Sequence, residues 1–177
     1  EVTALSVADE FNTEEFVELF EAHDRVLVLA SIPGAGKTYS LLKYFQPLGD
    51  KALVVTPYNA LACDLMACQE GCEGGEACAC VKAHTAITFH RLIGARAHGE
   101  DDEQEDDGGA PTKHDISGVS HILFDEVFCF NPLQLAQLQK FMDDNALMAD
   151  GTLRKFFAAG DKNQNAPIYS SCLNRLE

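Results

Sequence analysis

The run Val26-Leu27-Val28-Leu29-Ala30, followed by Ser31-Ile32-Pro33-Gly34-Ala35-Gly36-Lys37-Thr38, constrains this chain more than any other stretch. An apolar run this short, with no polar face, is the pattern of a parallel strand buried between two layers of helices. Pro33, Gly34, Ala35 and Gly36 then turn the chain, and Lys37-Thr38 opens a segment that reads as helix to Tyr44, short of Pro47. Strand, glycine-rich turn and helix start together make an anion cradle. Glycines let backbone N–H groups converge on phosphate oxygens, and the helix N-terminus adds its unpaired donors and positive dipole end. Lys37 would reach the β/γ-phosphates of a nucleotide and the Thr38 hydroxyl would hold Mg²⁺. A bare Gly-Lys-Ser/Thr tripeptide arises by chance in roughly one chain in ten of this length, so the specificity comes from Gly34 and the strand before it. Ser31 stands where the pattern G-x-x-x-x-G-K-[ST] has its first glycine. Serine is small and common at turns, and the cradle is expected to survive.

A net charge of −15 argues at first against a nucleic-acid partner. The charge is unevenly placed, however: seven acids lie in Glu100–Asp107 (EDDEQEDD), a solvated run that reads as an insertion near residues 99–110. A local groove can still be basic. With 177 residues, 46% of them hydrophobic, one good core can be buried, and residues 1–177 are read as a single domain. No apolar run approaches the length that spans a bilayer, and the N-terminus lacks the basic-then-apolar form of a secretory signal. The expectation is a soluble, intracellular protein, cytoplasmic or nuclear, with no membrane partner. Seven cysteines, an odd number, beside a nucleotide loop imply reduced thiols.

Along the chain, residues 8–23 place Phe11, Phe16, Val17, Leu19 and Phe20 at helical spacing among acids, predicting an amphipathic helix before the first strand. Residues 52–56 (ALVVT) form a second buried strand stopped by Pro57, and a helix follows over 59–68 with Asn59 as its N-cap. A glycine- and cysteine-rich loop leads to a short strand within 82–89 and a helix over 90–97. His121–Phe124 is a further strand ending in Asp125-Glu126. Residues 132–142 (PLQLAQLQKFM) form a periodic helix with proline in its first turn, and residues 153–159 form the last strand, ended by Gly160-Asp161. Strands alternating with helices give an α/β fold: a parallel sheet with helices on both faces and its chemistry at the carboxyl ends of the strands.

Those strand ends carry more than the loop. Asp125 can hold Mg²⁺ and Glu126 can polarise an attacking water, while Gln164, just past the last strand, can reach the γ-phosphate or that water. In order, SIPGAGKT, VVTPYNALA, AITFHRL, ILFDEVF and AAGDKNQNAPI resemble motifs I, Ia, Ib, II and III of superfamily 1 helicases, over residues 26 to 168. The similarity is to the RecD-like branch and to the helicases of positive-strand RNA viruses. Such a resemblance implies a P-loop NTPase with a RecA-like parallel β-sheet flanked by helices, the first motor domain of an ATP-driven helicase. It puts the magnesium carboxylate on Asp125, the water-activating glutamate on Glu126 and the phosphate-sensing glutamine on Gln164. It also turns Thr56, Pro57 and Asn59, with Thr88 and His90, toward single-stranded DNA or RNA. Two departures stand out. The family's adenine-reading glutamine has no counterpart, because no glutamine precedes Gln46. Motifs IV to VI and the second RecA-like domain, which supplies an arginine finger, are missing from this chain, which is therefore expected to be a fragment of a longer helicase or a lone domain that binds NTP and hydrolyses it poorly.

Cys68, Cys72, Cys78 and Cys80 offer four soft ligands for a structural Zn²⁺ in the loop near 68–80, at a spacing that is not among the common zinc patterns. The alternative is a reduced loop. Two other functions stay open on sequence alone: a P-loop nucleoside kinase, and a non-enzymatic module gated by nucleotide.

Overall fold

The structure, a computed structural model, describes residues 3–7, 13–30, 36–68, 80–94 and 113–161. Its centre is a six-stranded, wholly parallel sheet. The strands are β1 (Thr3–Val7), β2 (Arg25–Ala30), β3 (Ala52–Thr56), β4 (Ala86–Thr88), β5 (His121–Phe124) and β6 (Lys155–Gly160), in the spatial order β1-β2-β6-β5-β3-β4. Helices α1 (Thr13–Ala22), α2 (Lys37–Phe45), α3 (Asn59–Met66), α4 (Phe89–Ile93) and α5 (Pro132–Asp144) connect them.

The central strands are buried on both faces, which is why they read as apolar runs. Val26, Val28, Val54, Leu123 and Phe157 join Phe20 of α1 and Leu41, Leu42 and Phe45 of α2 in one core. Their sequence neighbours Leu53, Val55, Ile122, Phe124 and Phe156 join Phe89, Leu92, Leu138 and Phe141 of α4 and α5 in the other. The alternation along each strand thus serves two cores. β6 is the hub, because Phe156 and Phe157 project to opposite faces. Phe157 lies 4.9 Å from Phe20 and 5.3 Å from Phe45, edge-on. Phe156 lies 6.4 Å from Phe124 and 6.5 Å from Phe141. The Phe124–Phe156 pair is stacked and the other three are edge-to-face, and such pairs add modestly to the area they bury.

At the amino end of β6, buried Arg154 acts as a staple. Its Nε donates to the Val119 carbonyl at 2.7 Å, one terminal nitrogen to Ile116 at 3.0 Å and the other to Asn145. A buried guanidinium is tolerated because carbonyls meet its donors. α5 begins with a reciprocal cap: Asn131 Oδ1 accepts from the Gln134 backbone and Gln134 Oε1 from the Asn131 backbone, each at 2.9 Å, with Pro132 in the first turn.

Several sequence boundaries move. β1 carries no expectation from the sequence and adds an outer strand beside β2. The helix expected over 8–23 spans Thr13–Ala22, with Phe20 buried but Val17 exposed, and residues 8–12 lie outside the described residues. Tyr58, not Asn59, is the N-cap of α3, and no side chain caps that helix. The strand expected within 82–89 shrinks to 86–88, and α4 closes at Gly94, whose φ of 71° gives the left-handed turn that ends a helix. β6 starts at Lys155, because Leu153 instead forms an antiparallel bridge with Leu147. The acidic insertion lies outside the described residues.

Candidate nucleotide site

The carboxyl ends of β2, β6 and β5 lie side by side, so their loops share one edge of the sheet. From β2, residues 31–35 with Pro33, Gly34 and Ala35 lie outside the described residues, and the chain is described again from Gly36. Gly36 holds φ 76°, ψ 14° and is the N-cap of α2, so its carbonyl accepts from Ser40 N at 2.9 Å. Nothing lies within 4 Å of where a Cβ would sit, so glycine is required here by its dihedral and not by crowding. Lys37 and Thr38 then occupy the first turn of α2, with Lys37 only 6% exposed.

From β5 comes Asp125, almost fully buried, its backbone N–H held by the Val55 carbonyl at 2.9 Å. The two loops meet at one contact. Thr38 Oγ1 donates to Asp125 Oδ1 at 3.1 Å and lies 3.3 Å from Oδ2, bridging 87 residues of sequence. Burial, and then the charge of Glu126, push the Asp125 carboxyl up from 3.8 to about 6, against the Thr38 hydroxyl, the Glu126 backbone N–H and the Lys37 ammonium. A buried carboxylate beside a second carboxylate is a group short of positive charge. Its hard oxygen and the Thr38 hydroxyl are the donors Mg²⁺ takes, and the residues present fit that ion.

Glu126 follows in the left-handed region, φ 51° and ψ 43°, the sole non-glycine residue with positive φ among the described residues. A glutamate in that region costs on the order of 1 kcal/mol and persists only where its surroundings over-determine it. The surroundings are a 3-10 turn (Val127–Cys129), closed by Cys129 N to Glu126 O at 2.9 Å. Phe128 from this turn seats over Gly160, where a Cβ would lie 2.7 Å from the ring. Glycine at the end of β6 is thus what lets the turn that follows Glu126 sit down on the sheet.

The expected strand-facing residues cluster at the neighbouring edge. Thr56 and Thr88 are register partners at the ends of β3 and β4. Thr56 is fully buried, and its hydroxyl donates to the Tyr58 carbonyl at 2.8 Å. It braces the turn after β3. Pro57 is half-buried and Asn59 exposed. Thr88 and His90 are half-buried, and Thr88 Oγ1 accepts from Arg91 N at 3.4 Å as the N-cap of α4. Gln164 lies outside the described residues, which end at buried Asp161 just past β6.

The cysteine set is divided. Cys68 and Cys80 are half-buried, with Lys82 Nζ 3.3 Å from Cys68 Sγ, while Cys72 and Cys78 lie outside the described residues. No group of three or more candidate metal ligands occurs among the described residues. No described helix is long and apolar enough to cross a membrane.

Sequence reasoning passed over Tyr58 and Cys129. Tyr58 is 58% exposed, and burial followed by the Glu126 charge pushes the Cys129 thiol up. The available signal was positional, since each follows shortly after the end of one of two adjacent strands, Tyr58 after β3 and Cys129 after β5.

With this geometry established, comparison with known proteins gives the fold a context. No family model matches the sequence, and no curated protein is similar to it in sequence. Among solved structures, a double mutant of the Pif1 helicase from Bacteroides matches with a TM-score of 0.56 at 15% identity. The match covers 92% of this chain and 34% of that one. Bacteroides Pif1 bound to single-stranded DNA matches with a TM-score of 0.53 at 16% identity, over 95% of this chain and 36% of that one. This chain therefore has a helicase-like α/β fold and spans about a third of the length of those solved chains. The parallel sheet flanked by helices is that of a P-loop NTPase.

Proposed function

We propose that this chain is the NTP-binding and hydrolysing motor domain of a superfamily 1 helicase, engaging Mg·ATP at the β2–β5 edge and single-stranded nucleic acid at the β3–β4 edge. The observation that carries the reading is the Thr38–Asp125 hydrogen bond, which brings together the two residues expected to hold the metal of a metal–nucleotide complex. Mg²⁺, when bound, supplies positive charge to the β- and γ-phosphate oxygens. The chain's own part is to position and polarise. Lys37 offers a point charge at the head of α2, Thr38 and Asp125 the metal's oxygen donors, and Glu126 the carboxylate that orients and takes a proton from the attacking water. Gln164 is assigned the γ-phosphate-sensing role. A second RecA-like domain is needed for full turnover, because charge that shifts onto the γ-phosphate requires an arginine from its far side. Of the three described arginines, Arg154 is spent on three carbonyls, Arg25 pairs with Asp143 at 2.8 Å, and Arg91 lies on α4, beyond the β3–β4 edge.

Lys37→Ala tests the reading. Calorimetric titration with Mg·ATP should show binding to the wild type and none to the variant, with the fold retained by circular dichroism. Equal affinity in both would rule out the assignment. The likeness to a helicase bound to single-stranded DNA, and the TPYNALA and GDKNQNAPI stretches, support a helicase over a nucleoside kinase. Phosphorylation of a nucleoside by this chain would decide the other way.

A further inference from the structure

Glu126 is clamped from both sides. Before it, Asp125 is fixed to the sheet through its N–H on the Val55 carbonyl at 2.9 Å, and to α2 through the Thr38 hydroxyl at 3.1 Å. After it, the chain sends three side chains down onto the fold. Val127 is buried, and Phe130 is 1% exposed with its ring 5.1 Å from that of Phe89. Half-buried Phe128 lies over Gly160. This third seat is the demanding one, because it exists only while the strand beneath carries no side chain. Gly160 closes β6 opposite Leu29 of β2 and is not among the residues with positive φ. A Cβ there would stand 2.7 Å from Phe128 Cδ2, and 3.3 Å from both Phe128 Cε2 and Val127 Cγ1. Glycine is therefore required at 160 by crowding, whereas at 36 its dihedral requires it. The Cys129 N to Glu126 O hydrogen bond closes the turn on itself, but only side chains tie the turn to β6. A glutamate leaves the left-handed region once its surroundings let go, and Phe128 on Gly160 is the part of those surroundings nearest to it on the β6 side.

We propose that Phe128 is a positioning residue for hydrolysis: its ring, seated on Gly160, keeps Glu126 in the left-handed conformation that presents the carboxylate to the attacking water. The inference rests on the motor-domain reading above and adds to it a residue that takes no part in binding nucleotide or metal. A backbone that turns out of the left-handed region carries the carboxylate off its line, and a misplacement of about 1 Å costs on the order of a hundredfold in rate.

Two measurements test this. ATP turnover of the full chain is followed with labelled γ-phosphate in Phe128→Leu and Gly160→Ala, and Mg·ATP affinity is read by calorimetry. Each variant should lower kcat about 10- to 100-fold, toward the level of Glu126→Gln. KM and Kd for Mg·ATP should stay within about twofold, because Lys37, Thr38 and Asp125 are untouched. The second measurement reads the backbone at 126 without reference to turnover. A left-handed position favours glycine over alanine, so Glu126→Gly should melt about 2–4 °C above Glu126→Ala. With Phe128→Leu added to each, residue 126 is released, and the gap should close or reverse, since alanine is the better residue in ordinary backbone. Wild-type kcat in both Phe128→Leu and Gly160→Ala would overturn the proposal, as would a glycine-over-alanine gap that is the same with and without Phe128. Mg·ATP affinity lost in step with kcat would also overturn it, because general damage to the site gives that result. If Glu126→Gln lowers hydrolysis while the Phe128 variant does not, the motor-domain reading stands and the positioning role alone falls. Wild-type turnover no higher than that of Glu126→Gln would overturn both together.

Discussion

Asp125→Asn removes a buried charge while keeping the side chain's shape and an oxygen for the Thr38 hydroxyl, so it should stabilise the metal-free protein while disabling it. The carboxyl titrates at about 6 in the fold against 3.8 when free. The folded protein therefore holds its proton more tightly than the unfolded chain, and ionisation works against folding. That cost is absent well below pH 3.8, grows as pH rises through the window between the two values, and is complete above about 6. At 1.36 kcal/mol per pH unit it reaches roughly 3 kcal/mol near neutrality and about half of that near pH 5. Asparagine mimics the neutral acid at every pH. In EDTA at about pH 7.5 its melting temperature should exceed the wild type's by about 6–12 °C, at roughly 2–4 °C per kcal/mol for a chain of this size. Near pH 5 the gap should shrink to about half. Adding Mg·ATP should reverse the order, because only the wild type gains binding energy in the folded state. A stability difference that is the same at both pH values, or of opposite sign at the higher one, would refute the argument that burial and Glu126 strain this carboxylate.

Three other perturbations address separate parts of the site. Glu126→Gln should keep ATP affinity and lower hydrolysis, since Asp125 and Thr38 remain for the metal; undiminished turnover in a chain that includes the second motor domain would remove Glu126 from that role. Gly160→Val should displace Phe128 and the turn after Glu126, lowering stability by about 1–3 kcal/mol and turnover with it; denaturant melts and turnover equal to wild type would show that the contact carries nothing. For the cysteine loop, we propose one Zn²⁺ per chain held by Cys68, Cys72, Cys78 and Cys80. Elemental analysis of protein purified without chelators should find about one equivalent, and a metal-free result leaves the reduced loop.

Much of the fold was legible because its central strands are buried twice over. ALVVT and HILF leave no polar alternation to confuse with a surface strand, and the Thr38–Asp125 pair follows from their loops sharing one sheet edge. β1 was not legible: TALSV is short, mixed in polarity and recognisable as a strand only by pairing with Arg25–Ala30. Asn59 misled as a cap because residue preference is local, whereas the entry to α3 is set by Thr56 bracing the Tyr58 carbonyl from below. That the Thr56 hydroxyl braces this turn was not legible either, because its partner is a backbone carbonyl.

The order of the strands also sets the order in which the site can come into being during synthesis. β2 has β1 on one side and β6 on the other, with Val26 opposite Phe157. Its inner edge therefore stays unpaired until the last described strand has left the ribosome, on the order of ten seconds after β2 itself at usual elongation rates. Through that interval β1, α1 and β2 can form only a local crossover unit, and the Lys37 helix has no Phe157 to pack toward. β3, β4 and β5 form a second block that is neighbourly in sequence and in space. β6 is the closing stave that locks the two blocks together. A translational pause or truncation before Lys155 would leave two half-sheets with open edges, the kind of surface that pairs with other chains.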